Sequence, residues 1–185
     1  AQDSTQRSID IHPKPVAAFQ TQNICQGDTA SFQSQSSISK GTIKNYQWDF
    51  GDSSQGSGNS PDHYYKQFDT YQPQLTVTSD SGCVDSITQQ LVVNPTPKPT
   101  FTNTRPCFGD TTRFSDSSTI GKGAIVQYQW QFGDGDSSQQ QNPAHFYQRP
   151  GIYNPVLTVT SDSGCKAALT QPTRVDSLPR VRFTI

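Results

Sequence analysis

The chain repeats itself. Cys25 recurs as Cys107, Trp48 as Trp130, Gly51-Asp52 as Gly133-Asp134, His63 as His145 and Cys83 as Cys165, always at an offset of 82. Laying residues 13–94 over 95–176 at that offset needs no gap and gives identity at 36 of 82 positions. The longest shared block runs from Leu75 to Cys83 and again from Leu157 to Cys165. A repeat of this kind specifies two similar folding units, 13–94 and 95–176, rather than one large domain. The register extends outward. Ile9 and Ile11 fall on Leu91 and Val93, so residues 1–12 read as the last strand of a preceding repeat. Pro179 and Phe183 fall on Pro97 and Phe101, so residues 177–185 read as the start of a following one. The expectation is two complete units with partial units at both ends, cut from a longer array.

Composition fixes the structural class. Every one of the 15 acidic residues is Asp, Met is absent, and 13 Gly and 13 Pro interrupt a chain of 185 residues. Ser, Thr, Asn and Asp compete with helical hydrogen bonding, and Pro and Gly break it, so long helices are excluded. Ten Phe, seven Tyr and two Trp are too many for a disordered chain. Within each unit the apolar period is 2. Tyr46, Trp48 and Phe50 alternate with polar residues, as do Tyr128, Trp130 and Phe132, and as do Tyr71, Pro73, Leu75 and Val77. Such alternation marks strands with one face on a core and one in water. Turn clusters at 51–61 and 79–82 separate them. About seven short strands in some 80 residues predict an all-β fold of tandem immunoglobulin-like β-sandwiches. A formal net charge of −1 gives no electrostatic footprint for nucleic acid, and no apolar run is long enough for direct membrane insertion.

The motifs carry a family resemblance. Trp48-Asp-Phe-Gly-Asp52, Pro61-Asp-His-Tyr-Tyr65, Tyr71 and Leu75-Thr-Val-Thr78 resemble the PKD (polycystic kidney disease) domain. Trp130-Gln-Phe-Gly-Asp-Gly135, Pro143-Ala-His-Phe-Tyr147, Gly151-Ile-Tyr153 and Leu157-Thr-Val-Thr160 repeat the match. Gln131 stands where the first copy has Asp49, and Phe68-Asp69 where the second has Pro150-Gly151. The Cys-x-Gly-Asp and Ser-Gly-Cys elements are similar to those in PKD repeats of large Bacteroidetes-type surface adhesins. The resemblance implies Trp48, Gly51, Asp52 and His63, and Trp130, Gly133, Asp134 and His145, as structural motif residues.

Four cysteines allow three pairings. A bond inside each unit is Cys25–Cys83 and Cys107–Cys165, closing the same spacing twice. This is the expected pairing, since small polar units need a covalent staple and disulfides imply an oxidising, extracellular setting. A Cys₄ zinc site is disfavoured because no CxxC pair exists.

Asp52 and Asp134 follow the core Trp strand in a Phe-Gly-Asp turn, where Asp accepts backbone N–H bonds. His63 and His145 are expected to bond a neighbouring strand or pack beside the Tyr that follows. Recurrence of both residues in both copies is what a scaffold shows, so no catalytic residue and no cofactor is assigned. Asp134 and Asp136 offer alternate oxygens, a weak calcium candidate that the first copy lacks, since Ser54 replaces the second acid.

Pro95, Pro97 and Pro99 hold the joint extended and semi-rigid, which favours a rod of head-to-tail units. The family resemblance adds candidate O-glycosylation at Ser4, Thr29, Ser86, Thr111 and Ser177, each preceded by Asp. These readings converge on a non-catalytic structural and interaction segment of a long secreted or cell-surface repeat protein. Its partners would be neighbouring repeats, laterally associated copies, or a glycan or surface ligand. The alternative is a carbohydrate-binding or spacer module of a secreted polysaccharide-degrading enzyme, with Tyr64 and its counterpart Phe146 as exposed stacking platforms.

Overall fold

A computed structural model describes residues 12–178. The parts of the sequence expected to belong to preceding and following repeats lie almost wholly outside these residues. The described chain is all β and divides into two compact units between Asn94 and Pro95.

In the first unit one layer is a four-stranded antiparallel sheet, ordered Val84–Thr88, Gln74–Ser79, Ile43–Asp49 and Gln55–Ser57. The other layer holds Ile24–Cys25, Leu91–Asn94 and Asp69–Tyr71, with the pairs Phe19–Gln20/Gln33–Ser34 and Thr29–Ser31/Asp62–Tyr64 beside them. The second unit repeats the four-stranded layer as Lys166–Thr170, Val156–Ser161, Ile125–Gln131 and Ser137–Ser138. Even the irregularity recurs. Register slips between Ile43 and Asn45 in one copy and between Ile125 and Gln127 in the other.

Alternation builds the core. Trp48, Phe50, Pro73, Leu75 and Val77 are buried while Gln47, Asp49, Gln72 and Gln74 face water. Trp48 takes Phe19 edge-on at 5.0 Å and 77° and lies 5.3 Å from Phe32. Its indole N–H donates to the Gly58 carbonyl at 2.9 Å, so the largest core side chain leaves no polar atom unpaired. Trp130 repeats all three contacts, with Phe101, Phe114 and the Gln140 carbonyl.

There are more strands than the seven expected per unit, in part because two of them cross between layers. Asp69–Tyr71 runs straight on into Gln74–Ser79, and Val84–Thr88 into Leu91–Asn94, yet each half pairs in a different sheet. Register is unbroken throughout. Thr78 faces Val84, Gln74 faces Thr88, the Gln89 N–H donates to the Pro73 carbonyl, Tyr71 faces Leu91 and Asp69 faces Val93. Residues 69–79 and 83–93 are therefore one long antiparallel hairpin whose tip is the turn at 80–82.

This hairpin overturns the expected cysteine pairing. Cys83 sits at the tip, its Sγ 4.0 Å from the His12 carbonyl. Cys25 pairs in parallel with Asn94 at the open end. Eleven residues of extended chain separate the two ends, about 36 Å at the usual rise per residue. A disulfide needs Cα atoms within about 7 Å, so Cys25–Cys83 cannot form inside the unit. The second unit has the same hairpin, with Thr160 facing Lys166, Gly151 facing Val175 and Cys107 bridged in parallel to Asp176 at the open end. Cys165 is at its tip, where its carbonyl accepts from the Ser161 N–H. Cys107–Cys165 is excluded for the same reason. Cys83 and Cys107 are free thiols, Cys107 exposed, whereas Cys25 and Cys165 are each disulfide-bonded.

Candidate functional site

In each unit a group of titratable side chains surrounds the Phe-Gly-Asp turn. Chain reversal at Gly51 uses φ of 79°, and a Cβ there would lie 3.0 Å from the Gln72 backbone nitrogen. Only glycine meets both conditions. Gly133 repeats them, with φ of 86° and Asn154 at 3.1 Å. The turn delivers Asp52 to His63, whose Nε2 is 2.8 Å from Asp52 Oδ2. Asp52 Oδ1 also accepts from the Ser54 N–H at 3.1 Å and from the Ser54 hydroxyl. The imidazole lies flat on Phe50, with centroids 4.1 Å apart and planes 3° apart, and meets Tyr65 edge-on at 4.6 Å. Tyr65 in turn donates its hydroxyl to the Phe50 carbonyl at 2.9 Å. One closed circuit thus locks the end of the Trp strand to the strand Asp62–Tyr64.

The second copy repeats the circuit. His145 Nε2 is 2.7 Å from Asp134 Oδ2, its ring stacks on Phe132 at 4.1 Å, and the Tyr147 hydroxyl donates to the Phe132 carbonyl at 3.0 Å. Burial pushes the Tyr65 and Tyr147 phenols well above their ordinary value, with the charges of Asp52 and Asp134 adding to it. Burial also pushes the Asp52 carboxyl up, but hydrogen bonds from Ser54 and His63 outweigh it and hold the group below the ordinary carboxylate value.

Ser54, His63 and Asp52 are the residue types of a hydrolytic triad, but their geometry is different. A triad places the serine on one imidazole nitrogen and the carboxylate on the other. Here Ser54 Oγ at 3.1 Å and Asp52 Oδ2 at 2.8 Å both address Nε2, and the Ser54 hydroxyl bonds the carboxylate itself. The carboxylate and the serine thus meet the same nitrogen, so the serine–imidazole–carboxylate relay of a triad is not formed. The second copy has Asp136 in the place of Ser54.

That substitution brings Asp134, Asp136 and His145 together, with one ligand atom from each within 4.8 Å of the others. Calcium takes roughly six to eight oxygen ligands. Two carboxylates, one already held by an imidazole nitrogen at 2.7 Å, fall well short, and the residues do not fit a calcium cage.

Other carboxylates fasten loops. Asp80 accepts from the Thr42 N–H at 3.0 Å and Asp162 from the Ala124 N–H at 3.1 Å. The sequence signal for this pair was identity between the copies at Asp80 and Gly41, whose counterparts are Asp162 and Gly123. Asp85 accepts from the Ala17 N–H at 2.8 Å and pairs with Lys14 at 2.6 Å.

Of the candidate glycosylation positions, Thr29, Ser86, Thr111 and Ser177 are exposed, and Ser4 lies outside the described residues. Tyr64 and Phe146 are 51% and 47% exposed, each beside its unit's histidine. Among the described residues no helix is long and apolar enough to cross a membrane.

Two such units, each with an immunoglobulin-like sandwich and the same aspartate–histidine lock, agree with the family comparison. The sequence model of the PKD domain matches residues 12–94 and 92–176, and the chain belongs to the PKD domain family. It is similar to a microbial collagenase of Vibrio alginolyticus, 37% identical over 92 residues, which are 49% of this chain and 11% of the collagenase. It is also similar to the pre-pro-metalloprotease PrtV of Vibrio cholerae, 28% identical over 157 residues, 84% of this chain and 17% of that protein. The chain therefore spans under a fifth of either relative. Among solved structures, the PKD1 domain of Vibrio anguillarum Epp covers 46% of this chain with 99% of its own, at 30% identity and a TM-score of 0.44.

Proposed function

We propose that the chain is a non-catalytic structural and interaction segment of a long secreted or cell-surface protein, in which PKD repeats form a stiff stalk or fibre. The supporting observation is the use of the Asp52–His63 pair. In both copies the residues best suited to chemistry are spent on locking a turn to a strand, with Asp–His contacts of 2.8 and 2.7 Å and the same Phe stack. An active site has no reason to recur unit after unit, whereas a scaffold lock does. Small-angle scattering on the chain tests the stalk. A rod of two units gives a maximum dimension of about 70–80 Å from the strand rise. A particle no longer than one unit contradicts it.

A second reading is favoured by the relatives, which are named as a collagenase and a metalloprotease. In it the chain is a spacer or binding module beside a degradative catalytic domain, with Tyr64 and Phe146 stacking on sugar rings. Retention on insoluble glycans, abolished by Tyr64→Ala, supports this reading; passage through chitin and cellulose unretained supports the first.

A further inference from the structure

The two copies of the turn lock differ at one position that decides what each can hold. In the first, Ser54 supplies a proton donor. Its hydroxyl bonds the Asp52 carboxylate and lies 3.1 Å from His63 Nε2, so carboxylate, hydroxyl and imidazole close on one another. In the second copy that place belongs to Asp136, whose ionised side chain can only accept. The Asp136 backbone N–H donates to Asp134 Oδ1 at 3.2 Å. Among the described residues its carboxylate has no hydrogen-bond or ion-pair partner, and no lysine or arginine pairs with Asp134 either. Two carboxylates and an imidazole nitrogen therefore converge, one ligand atom from each within 4.8 Å of the others, where the first copy has a donor between them.

The imidazole is fixed before any ion arrives. The His145 side chain is only 9% exposed, stacks on Phe132 with planes 3° apart and meets Tyr147 edge-on at 4.5 Å. Asp136, by contrast, is exposed on the turn and open to an ion arriving from water. A donor set of one imidazole and two carboxylates falls short of a calcium cage but suits zinc and its neighbours in the first transition row. Zinc with three protein ligands completes a tetrahedron with water.

We propose that Asp134, Asp136 and His145 form a divalent transition-metal site of zinc type, present in the second unit and absent from the first. Binding gives up the 2.7 Å contact between His145 Nε2 and Asp134 Oδ2. Ligand atoms around one tetrahedral zinc lie about 3.4 Å apart, so that contact opens slightly while Asp136 draws in. His145 coordinates as the neutral ring through a nitrogen lone pair, with its proton on the other nitrogen. The fourth position is taken by water. The ion then bridges the groups that the Ser54 hydroxyl bridges in the first copy, and it stabilises the second unit alone. This site goes beyond the stalk reading and does not rest on it.

The test adds zinc chloride to the full, chelator-stripped chain with Cys83 and Cys107 alkylated, because free thiols bind zinc as well. Titration calorimetry should find a single zinc per chain. In a Trp48→Phe background fluorescence reads the second unit, whose melting temperature should rise by about 10 °C at a hundredfold excess over Kd. In a Trp130→Phe background the first unit should not respond. Asp136→Ser installs the residue that the first copy already accommodates, and it should abolish the shift. Ser54→Asp should give the first unit the same response, and calcium chloride should shift neither. Circular dichroism establishes that each variant keeps its β fold. Failure to bind zinc, equal shifts in both units, or a zinc response surviving in Asp136→Ser would overturn the proposal. So would a calcium response matching that of zinc, or a first unit still indifferent to zinc after Ser54→Asp.

Discussion

The imidazole of His63 stacks on the ring of Phe50 at 4.1 Å while its Nε2 holds Asp52 at 2.8 Å. A polar contact and an aromatic contact thus share one side chain, and both fasten the strand Asp62–Tyr64 to the end of the Trp strand. Replacing His63 by Ala removes both and strips Asp52 of a partner. A loss of about 1–3 kcal/mol is expected in the first unit. Each unit has one tryptophan, so chemical denaturation followed by fluorescence in a Trp130→Phe background reads the first unit alone.

Tyr65→Phe is the subtler change. The ring and its packing stay, but the Phe50 carbonyl loses its donor in a buried setting. The expected cost is about 1–3 kcal/mol. Tyr147→Phe should cost the second unit a similar amount through the Phe132 carbonyl. Equal shifts in the two units, read through Trp48 and Trp130 separately, would establish that the locks are equivalent.

Gly51→Ala forces a Cβ into a left-handed conformation and against the Gln72 backbone at 3.0 Å. At Gly58, with φ of 100°, the same substitution meets nothing within 4 Å. Backbone strain is common to both, about 1–2 kcal/mol, and the contact with Gln72 is extra at Gly51. Melting temperatures should fall for both variants and further for Gly51→Ala.

Acid should unfold the first unit through its carboxylates. Asp52 is held below its ordinary value, and so is Asp85, chiefly by the Ala17 N–H and then by Lys14. A group whose folded value is depressed stabilises the fold above its unfolded value, near pH 4, and that stabilisation is lost as pH falls through the folded value. Thermal stability should therefore hold through neutral pH and drop below about pH 4. Asp52→Asn should lower it at neutral pH and flatten the acid limb.

Much of this fold is legible in the residues themselves. The 82-residue period delimits the units, and the alternation at Tyr46, Trp48 and Phe50 and from Tyr71 to Val77 picks out core strands because a pleated strand has only two faces. The Phe-Gly-Asp turn and the recurrent histidine mark the site, although the Phe50 stack and the shared use of Nε2 depend on strand pairing that periodicity does not encode. Cysteine pairing is not legible in the sequence, for a physical reason. A translation by 82 preserves every spacing, so equal separation of Cys25 from Cys83 and of Cys107 from Cys165 says nothing about which copies make a bond. The deciding fact is that Gln72-Pro73 and Gln89-Gln90 carry their strands from one layer to the other without breaking register. This stretches the hairpin over the whole unit and puts its two cysteines at opposite ends.

Alkylation of the native chain before reduction, followed by peptide mapping, tests that placement most directly. Cys83 and Cys107 should take the label in freshly isolated monomer, and Cys25 and Cys165 should be labelled only after reduction. A peptide joining Cys25 to Cys83, or Cys107 to Cys165, would contradict the hairpin geometry that puts the two cysteines of each unit at opposite ends.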